Sequence, residues 1–348
     1  MRRIVELGRR GAVCMAAALV AGAIVAPFGD GHAGAAASYP KINLAVGYEV
    51  DPAWPAKPDD IEWQGMTGLA VGPDDRVWVL SALAPHVQVY STSGELLDTW
   101  DGLEFKSPHH VCIDHERNVW IADHGRHVVE KYTPAGELLL RLGTLNEPGE
   151  DASHFNRPTS TAVSPGGDVF ITDGYGNNRI VHFDARGRFV KAWGTLGVGG
   201  GELSQPHAIA MDTRGRLYVG ERNNCRIQIF DQDGRSLGQW RNLVNPWGLW
   251  ITPRDEVYVC GSSPKRWGDA GNLGNPPTDQ LVMRLDTTGR VLELWTFPLA
   301  GEVKGIPGEL DWVHGIAVDS KGDLYLSDVG ADSPCQRAQK FIRLPAER

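Results

Sequence analysis

The hydrophobic and polar positions of this chain follow a pattern that is repeated six times. Each copy holds a short apolar strand, a polar turn with Asp, Gly or Asn, and a second strand of β-branched and aromatic residues, which predicts a β-hairpin. The copies start roughly 40 to 70 residues apart, at Gly68, His110, Ser160, Ala208, Gly248 and Gly315. Two further strands follow in most copies, which predicts one four-stranded antiparallel blade per copy. Because no helical periodicity is sustained after residue 40, the sequence predicts an all-β, six-bladed β-propeller.

The last copy is shorter than the others, since it ends at Leu344 after three strands. A blade with an unpaired edge would expose backbone donors and acceptors. We therefore expect the segment near Ile42 to Val50 to supply the fourth strand of this blade and to close the ring. On this interpretation, residues 38–348 form one propeller domain.

Tryptophan recurs at the end of the fourth strand, at Trp100, Trp193, Trp240 and Trp295. Such a row could form an aromatic patch for a ligand. The repeated placement favours packing between neighbouring blades instead.

Residues 1–37 do not fit the repeat and resemble a secretory signal peptide. Arginines precede an apolar stretch that runs from Gly11 to Phe28, and small residues from Ala33 to Ala37 offer cleavage sites. An uncleaved membrane anchor is the alternative, since the apolar stretch is near the lower length limit for a spanning helix. Cleavage predicts an exported protein, periplasmic or extracellular, that is not attached to a membrane.

Charge and cysteine usage narrow the function. A formal net charge of −9 argues against a nucleic-acid partner, which would need a basic face. Cys112, Cys225, Cys260 and Cys335 remain after the signal segment and show no CxxC spacing, so neither a zinc-thiolate site nor a redox motif is indicated. An oxidising compartment permits a disulfide, for which Cys225–Cys260 is the favoured pair.

Histidine occupies one repeat position in alternate copies. The residues immediately before the predicted first strands are, in chain order, Thr67, His109, Thr159, His207, Trp247 and His314. First strands line the channel of a propeller, and alternate blades of six are about a third of a turn apart, so the three imidazoles should converge on the axis. A lone histidine there is more often a hydrogen-bonded core residue, but the alternation favours a three-histidine metal site. Imidazoles without cysteine favour zinc with an open fourth position, although copper and iron also accept imidazole.

Two polar residues follow second strands, whose ends lie at the same rim as the histidines. Tyr175 offers a phenol that can exchange a proton, and Arg222 offers a guanidinium that can hold a carboxylate. The alternative is that Tyr175 caps a hydrophobic rim and that Arg222 pairs with Asp173 or Glu221.

The segments that carry these residues resemble a known family. SPHHVCID, HFNRPTSTAV, DVFITDGYGNNRIVHF, QPHAIAM, GERNNCRIQIF and WVHGIAVD are similar to the NHL-repeat propeller of the peptidyl-α-hydroxyglycine α-amidating lyases. The resemblance covers most of residues 68–344. Its DGYxNxRIVxF and RxNxRIQxF motifs are more specific than general NHL signatures.

The resemblance implies a set of roles for the candidate residues. A zinc ion is expected on His109, His207 and His314, with Tyr175 acting on the substrate hydroxyl and Arg222 in the same pocket. The implied reaction cleaves the C–N bond of a carbinolamide, which gives a peptide amide and glyoxylate.

The sequence departs from this family at three places. A first-blade arginine of the family is replaced by Ser81-Ala82, and Lys265 or Arg266 in the long fifth-blade insertion could substitute for it. The family binds a structural calcium through an Asp directly after the sixth-blade histidine, so Gly315 makes calcium doubtful. A cysteine pair beside the tyrosine is replaced by Asn156 and Gly176, which removes a crosslink but no catalytic group.

These observations leave three functions open. The favoured one is a zinc-dependent lyase, expected as a monomer, that acts on a small-molecule or peptide substrate. No segment resembles a copper monooxygenase, so a separate monooxygenase would supply an α-hydroxyglycine, or the substrate is another hydroxylated amide. A metal-dependent hydrolase could use the same three histidines, because bound zinc lowers the pKa of water. A non-catalytic NHL scaffold would have no need for axial histidines.

Overall fold

The protein is a closed ring of six β-sheets. The computed structural model describes residues 47–264, 277, 279–301, 305–329 and 337–345. Within these ranges the strands form six four-stranded antiparallel sheets, which confirms the all-β, six-bladed propeller. No helix in the described part of the chain is long and apolar enough to cross a membrane. The signal segment predicted at residues 1–37 lies outside the described residues, as do Lys265 and Arg266.

Blades 1 to 5 take their strands in chain order from the channel outwards, and blade 6 takes β22, β23 and β24 followed by β1. Blade 1 contains β2 (Met66–Val71), β3 (Val77–Ser81), β4 (Val87–Tyr90) and β5 (Leu96–Trp100). Blade 2 contains β6 (Pro108–Ile113), β7 (Val119–Asp123), β8 (Val128–Tyr132) and β9 (Leu138–Leu142). Blade 3 contains β10 (Ser160–Val163), β11 (Val169–Asp173), β12 (Arg179–Phe183) and β13 (Phe189–Trp193). Blade 4 contains β14 (Pro206–Met211), β15 (Leu217–Glu221), β16 (Arg226–Phe230) and β17 (Ser236–Arg241). Blade 5 contains β18 (Asn245–Ile251), β19 (Val257–Ser262), β20 (Gln280–Leu285) and β21 (Val291–Phe297). Blade 6 contains β22 (Val313–Val318), β23 (Leu324–Asp328), β24 (Ala338–Arg343) and β1 (Tyr48–Asp51).

The two ends of the propeller meet in the sixth blade. Strand β1 pairs antiparallel with β24, with Tyr48 opposite Arg343 and Asp51 opposite Lys340. On the inner side, β22 lies beside β2, so the ring of first strands is also continuous. Closure gives the sixth blade four strands, as many as each other blade has. The edge that would stay unpaired in a blade of three strands is thereby covered.

The hydrophobic core lies between the blades. Each cluster of buried apolar side chains draws on neighbouring sheets, as where Trp78 and Leu80 of blade 1 pack with Val119 and Ile121 of blade 2. The tryptophans at the ends of the fourth strands belong to these contacts. Trp100 lies 5.3 Å from Tyr132 of the next blade, Trp193 lies 6.3 Å from Phe230, and Trp295 lies 5.0 Å from Tyr48, between ring centroids.

The expected disulfide between Cys225 and Cys260 is wrong, because both residues are free cysteines. Cys260 is buried on β19, with its sulfur 3.5 Å from the carbonyl oxygen of His314 in the next blade. Cys225 lies in the loop after β15, 3.8 Å from the carbonyl oxygen of Arg222. The two thiols therefore belong to different blades and have different neighbours.

Candidate metal centre

Histidine occupies a β-bulge at the start of three first strands. His109, His207 and His314 are the second residues of β6, β14 and β22, one residue inside the strand rather than before it. In each strand the pairing register shifts at this residue, which has no partner in the neighbouring second strand. A bulge redirects the side chain that it carries. All three imidazoles are thereby brought to one point of the channel.

The three rings form a compact and buried cluster. The candidate ligand nitrogens all lie within 4.8 Å of one another. The ring centroids are 4.8 to 4.9 Å apart, and the three residues are 1 to 6% exposed. Within the described residues this is the one group of three or more such side chains close enough to hold a metal ion.

Backbone carbonyls fix the orientation of each ring. The Nδ1 atoms of the three histidines each lie 2.6 Å from a carbonyl oxygen of the following blade. The carbonyls belong to Thr159, Trp247 and Thr67, which occupy the same repeat position in the other three blades. An Nδ1–H that donates to a carbonyl leaves Nε2 with its lone pair free for a metal, as is usual for metal-bound histidine.

The electrostatic surroundings keep the imidazoles neutral. Burial, followed by the neighbouring imidazoles, lowers the pKa of His109 well below its ordinary value. Burial and then His314 do the same for the pKa of His207, and burial lowers the pKa of His314 to about 3. Neutral imidazoles with converging Nε2 atoms are the donor set that zinc accepts, and three protein ligands leave a position for a substrate or water. The cluster therefore fits a metal ion.

Tyr175 lies directly against this cluster. It belongs to the loop between β11 and β12, and its hydroxyl is 2.9 Å from a ring nitrogen, Nε2, of both His109 and His207. Burial raises the pKa of Tyr175, while the guanidinium groups of Arg222 and Arg157 act in the opposite direction. The structure thus places the phenol, which can donate or accept a proton, against two of the candidate ligand nitrogens.

Arg222 is the first residue after β15 and joins the same pocket. Its guanidinium lies 4.2 Å from the ring centroid of Trp247, and its charge acts to lower the pKa of Tyr175. The neighbouring carboxylates have other arginine partners, since Asp173 pairs with Arg179 and Glu221 pairs with Arg226. These two carboxylates are thus held by other arginines of their own blades.

Two side chains of the pocket were not selected from the sequence. The His124 ring lies 5.5 Å from that of His109 and 5.4 Å from that of Tyr175. The Arg157 guanidinium carbon lies 5.3 Å from the centre of the Tyr175 ring. His124 follows a second strand, as Tyr175 does, so its repeat position predicts a place at this rim. Arg157 lies in a long connection between blades, where the repeat gives no position.

At Gly315 and Gly176, where the sequence departs from the pattern of the lyases it resembles, neighbouring side chains fill the space that a larger residue would need. A Cβ atom at Gly315 would lie 2.5 Å from the Ser327 hydroxyl oxygen, so the position has no room for an aspartate. A Cβ atom at Gly176 would lie 2.1 Å from the Asn156 side chain, which fills that space. Asn156 and Gly176 are therefore contacting residues.

Comparison with known proteins places the chain among NHL-repeat proteins. The NHL repeat profile matches residues 155–183 and 203–230. NHL repeat-containing protein 3 of Mus musculus is 30% identical over 274 residues, which cover 74% of this chain and 73% of that protein.

Two further relatives carry the names of amidating enzymes. Peptidyl-alpha-hydroxyglycine alpha-amidating lyase 2 of Drosophila melanogaster is 30% identical over 72% of this chain and 59% of its own length. Peptidylglycine alpha-amidating monooxygenase of Rattus norvegicus is 34% identical over 83% of this chain, but the match spans only 28% of that protein.

Among solved structures, a streptogramin B lyase superimposes with a TM-score of 0.55 and 16% identity, over 81% of this chain and 95% of its own. At that identity the likeness concerns the fold alone.

Proposed function

Because this chain belongs to the NHL-repeat family and has lyases among its relatives, we propose that it is a zinc-dependent carbon–nitrogen lyase. Its substrate is an α-hydroxyglycine-type carbinolamide, which it divides into an amide and glyoxylate. The observation that carries the proposal is the position of the Tyr175 hydroxyl, 2.9 Å from Nε2 of both His109 and His207.

The reaction is a redistribution of one proton and two electron pairs. Removal of the hydroxyl proton lets the oxygen form a C=O bond, and the C–N bonding pair leaves with the nitrogen, which takes up a proton. No water or redox partner is consumed. A single positioned group that first accepts and then donates a proton can serve both steps, and Tyr175 has the chemistry for this role.

The other residues of the pocket complete the proposal. Zinc on His109, His207 and His314 would act as a Lewis acid toward the oxygen atoms of the substrate. The Arg222 guanidinium would bind a carboxylate of the substrate through paired N–H donors, and its charge favours the deprotonated form of Tyr175. Zinc is proposed over copper and iron because the donor set is three neutral imidazoles.

A non-catalytic scaffold is the second candidate, and one comparison favours it. NHL repeat-containing protein 3, which covers most of this chain, is named for its repeats rather than for an activity. A scaffold that binds a partner on one face of the ring would not need three buried imidazoles with oriented Nδ1 atoms. A hydrolase on the same site would release a carboxylic acid from the amide, so product analysis separates it from the lyase.

We further propose that the protein works outside the cytoplasm as a monomer, with residues 1–37 removed, and that a separate monooxygenase supplies its substrate. N-terminal sequencing of the exported protein tests the cleavage, and a start near Ser38 is expected. Recovery of Met1 or Arg2 in the mature protein would contradict it.

The activity is tested with α-hydroxyhippurate. Purified protein with stoichiometric zinc should release benzamide and glyoxylate in equal amounts, chelation should stop the release, and added zinc should restore it. Benzoate as the product would indicate the hydrolase. No glyoxylate from α-hydroxyhippurate, or from a panel of α-hydroxyglycine peptides, would leave the scaffold as the function.

A further inference from the structure

Arg157 is held at the mouth of the pocket in an unfavourable backbone conformation. It lies in the connection from β9 to β10, and its φ of 64° is in the left-handed region that side chains other than glycine rarely adopt. Its N–H donates to Nδ1 of His127 over 3.1 Å, and its carbonyl accepts from the Tyr175 N–H over 3.3 Å. Such a conformation persists only where the surroundings enforce it.

These backbone bonds place the Arg157 side chain over a residue of the candidate centre. Its guanidinium carbon lies 5.3 Å from the centre of the Tyr175 ring. The Tyr175 hydroxyl, at the far end of the same ring, contacts the histidine cluster. Arg157 is exposed to solvent. A guanidinium stacked on an aromatic face keeps its N–H donors at the edge, where a ligand can reach them.

No carboxylate of the described residues forms an ion pair with Arg157. The buried carboxylates at this rim pair with other arginines: Asp123 with Arg126, Asp173 with Arg179, and Glu221 with Arg226. In the part of the chain that the structure describes, Arg157 forms no ion pair of its own. A pocket with two guanidinium groups, in a protein whose net charge is −9, attracts anions at this point of its surface.

We propose that Arg157 is a second substrate-binding arginine, which holds a carboxylate of the substrate at the mouth of the histidine cluster. The identity of the substrate rests on the proposed function, but the anion-binding role does not. Arg222 is buried beside Trp247, whereas Arg157 is exposed and lies over the Tyr175 ring. Arg157 therefore selects anionic over neutral substrates as they enter.

The test compares two unreactive ligands that differ in one charge. Hippurate lacks the hydroxyl group of the substrate, and hippuramide replaces its carboxylate with a neutral amide. Isothermal titration calorimetry on the zinc-loaded protein should show hippurate binding at least tenfold tighter than hippuramide. Arg157→Asn should weaken hippurate about 10- to 100-fold, as expected for loss of a charge-assisted hydrogen bond, and should leave hippuramide unchanged. Arg157→Lys should retain part of the preference.

Arg117→Asn is a matched control. Arg117 is also exposed and left-handed, with a φ of 68°, but it lies in the turn between β6 and β7, away from the rim that carries Tyr175. Asparagine tolerates this conformation in both places, so both variants should keep the melting temperature of the wild type. Only Arg157→Asn should alter hippurate binding.

The outcomes for Arg157 and for the proposed function are separable. Hippurate binding that depends on Arg157, without glyoxylate release from any hydroxyglycine, would sustain this inference and reject the lyase. The opposite result is glyoxylate release by the wild type together with an Arg157→Asn variant whose preference for hippurate stays within twofold of wild type. That result would sustain the lyase and reject the role of Arg157. Wild-type protein that binds hippurate no better than hippuramide would also overturn the inference.

Discussion

The Nδ1 atom of His314 lies 2.6 Å from the carbonyl oxygen of Thr67, across the seam where the sixth blade meets the first. The two residues are 247 positions apart in the sequence. One of the three imidazoles is therefore oriented by a contact that exists only after the ring has closed. A metal ion held by the three histidines would be coupled to propeller closure through this pair, since a ligand set that forms on folding stabilises the folded state.

Loss of any one histidine of the cluster should abolish stoichiometric metal binding. Replacing His109, His207 or His314 by Ala removes one of three donors, and the loss of affinity should exceed the roughly 10- to 100-fold that removal of an outer hydrogen-bond partner causes. Metal content by mass spectrometry after gel filtration measures this. His110→Ala, one residue along β6, is the control and should keep its metal. Wild-type metal content in the cluster variants would show that the ion binds elsewhere.

Tyr175→Phe should abolish turnover and leave the protein otherwise intact. The substitution keeps the ring and deletes the hydroxyl, and loss of a positioned acid or base reduces kcat by about 10²- to 10⁴-fold. Metal content and melting temperature should match those of the wild type. Turnover of a confirmed substrate within threefold of wild type would make Tyr175 a packing residue and refute the proposed chemistry.

Two arginines of the fourth blade should respond in opposite ways to the same change. Arg222→Lys should reduce kcat/KM about 10- to 100-fold with little effect on stability, because lysine lacks the paired donors of the guanidinium. Arg226→Lys should instead destabilise the fold by about 1–3 kcal/mol, since Arg226 is buried and bonds Glu221 at 2.5 Å. Steady-state kinetics and thermal unfolding of both variants measure the contrast. Equal activities of the two variants would remove Arg222 from the site.

Asp123 should contribute stability that is lost in acid. Burial opposes ionisation, but the N–H groups of Lys106 and Ser107 and the Arg126 guanidinium outweigh it and lower the pKa of Asp123. The carboxyl group thus binds its proton less readily when folded than when unfolded, where its pKa is about 3.9. Its contribution is present above that pH and disappears as the pH falls through the folded pKa.

Urea unfolding of wild type and Asp123→Asn measures this contribution. The variant should be less stable by about 1–3 kcal/mol at pH 7, because the charge-assisted hydrogen bonds of Asp123 are lost, while Arg126 keeps Glu130 as a partner. The gap should shrink as the pH is lowered from 5 to 3. A gap that does not change with pH would mean that the charge of Asp123 is irrelevant to stability.

Replacement of a turn glycine by alanine should cost more stability where the glycine packs against a neighbouring blade than where it does not. Gly289 has a φ of 88°, and a Cβ atom there would lie 2.5 Å from Nε1 of Trp240 in the preceding blade. Gly201 has a φ of 85° with no atom within 4 Å of such a Cβ. Alanine strains the backbone equally at both positions, so Gly289→Ala should be less stable than Gly201→Ala by about 1–3 kcal/mol, the cost of overpacking. Equal melting temperatures would show that the Trp240 contact contributes nothing.

The sequence alone determined the number and type of blades. Strand alternation and turn residues act over a few positions, so a repeat that preserves them specifies the same hairpin each time. The alternation of His109, His207 and His314 was visible for the same reason, because an equivalent position in a closed ring implies an equivalent place in space.

The tertiary structure decided what a repeat does not encode. The carbonyl partners of the imidazoles belong to neighbouring blades, and the position of Arg157 over Tyr175 depends on backbone bonds to residues of two different loops. The sequence favoured a disulfide between Cys225 and Cys260, but the two residues lie in different blades and are free cysteines. The local pattern of apolar and polar residues determines where the strands lie and which of their faces are buried. Contacts between loops arise only when the ring closes, because the free energy that orders them comes from packing between blades.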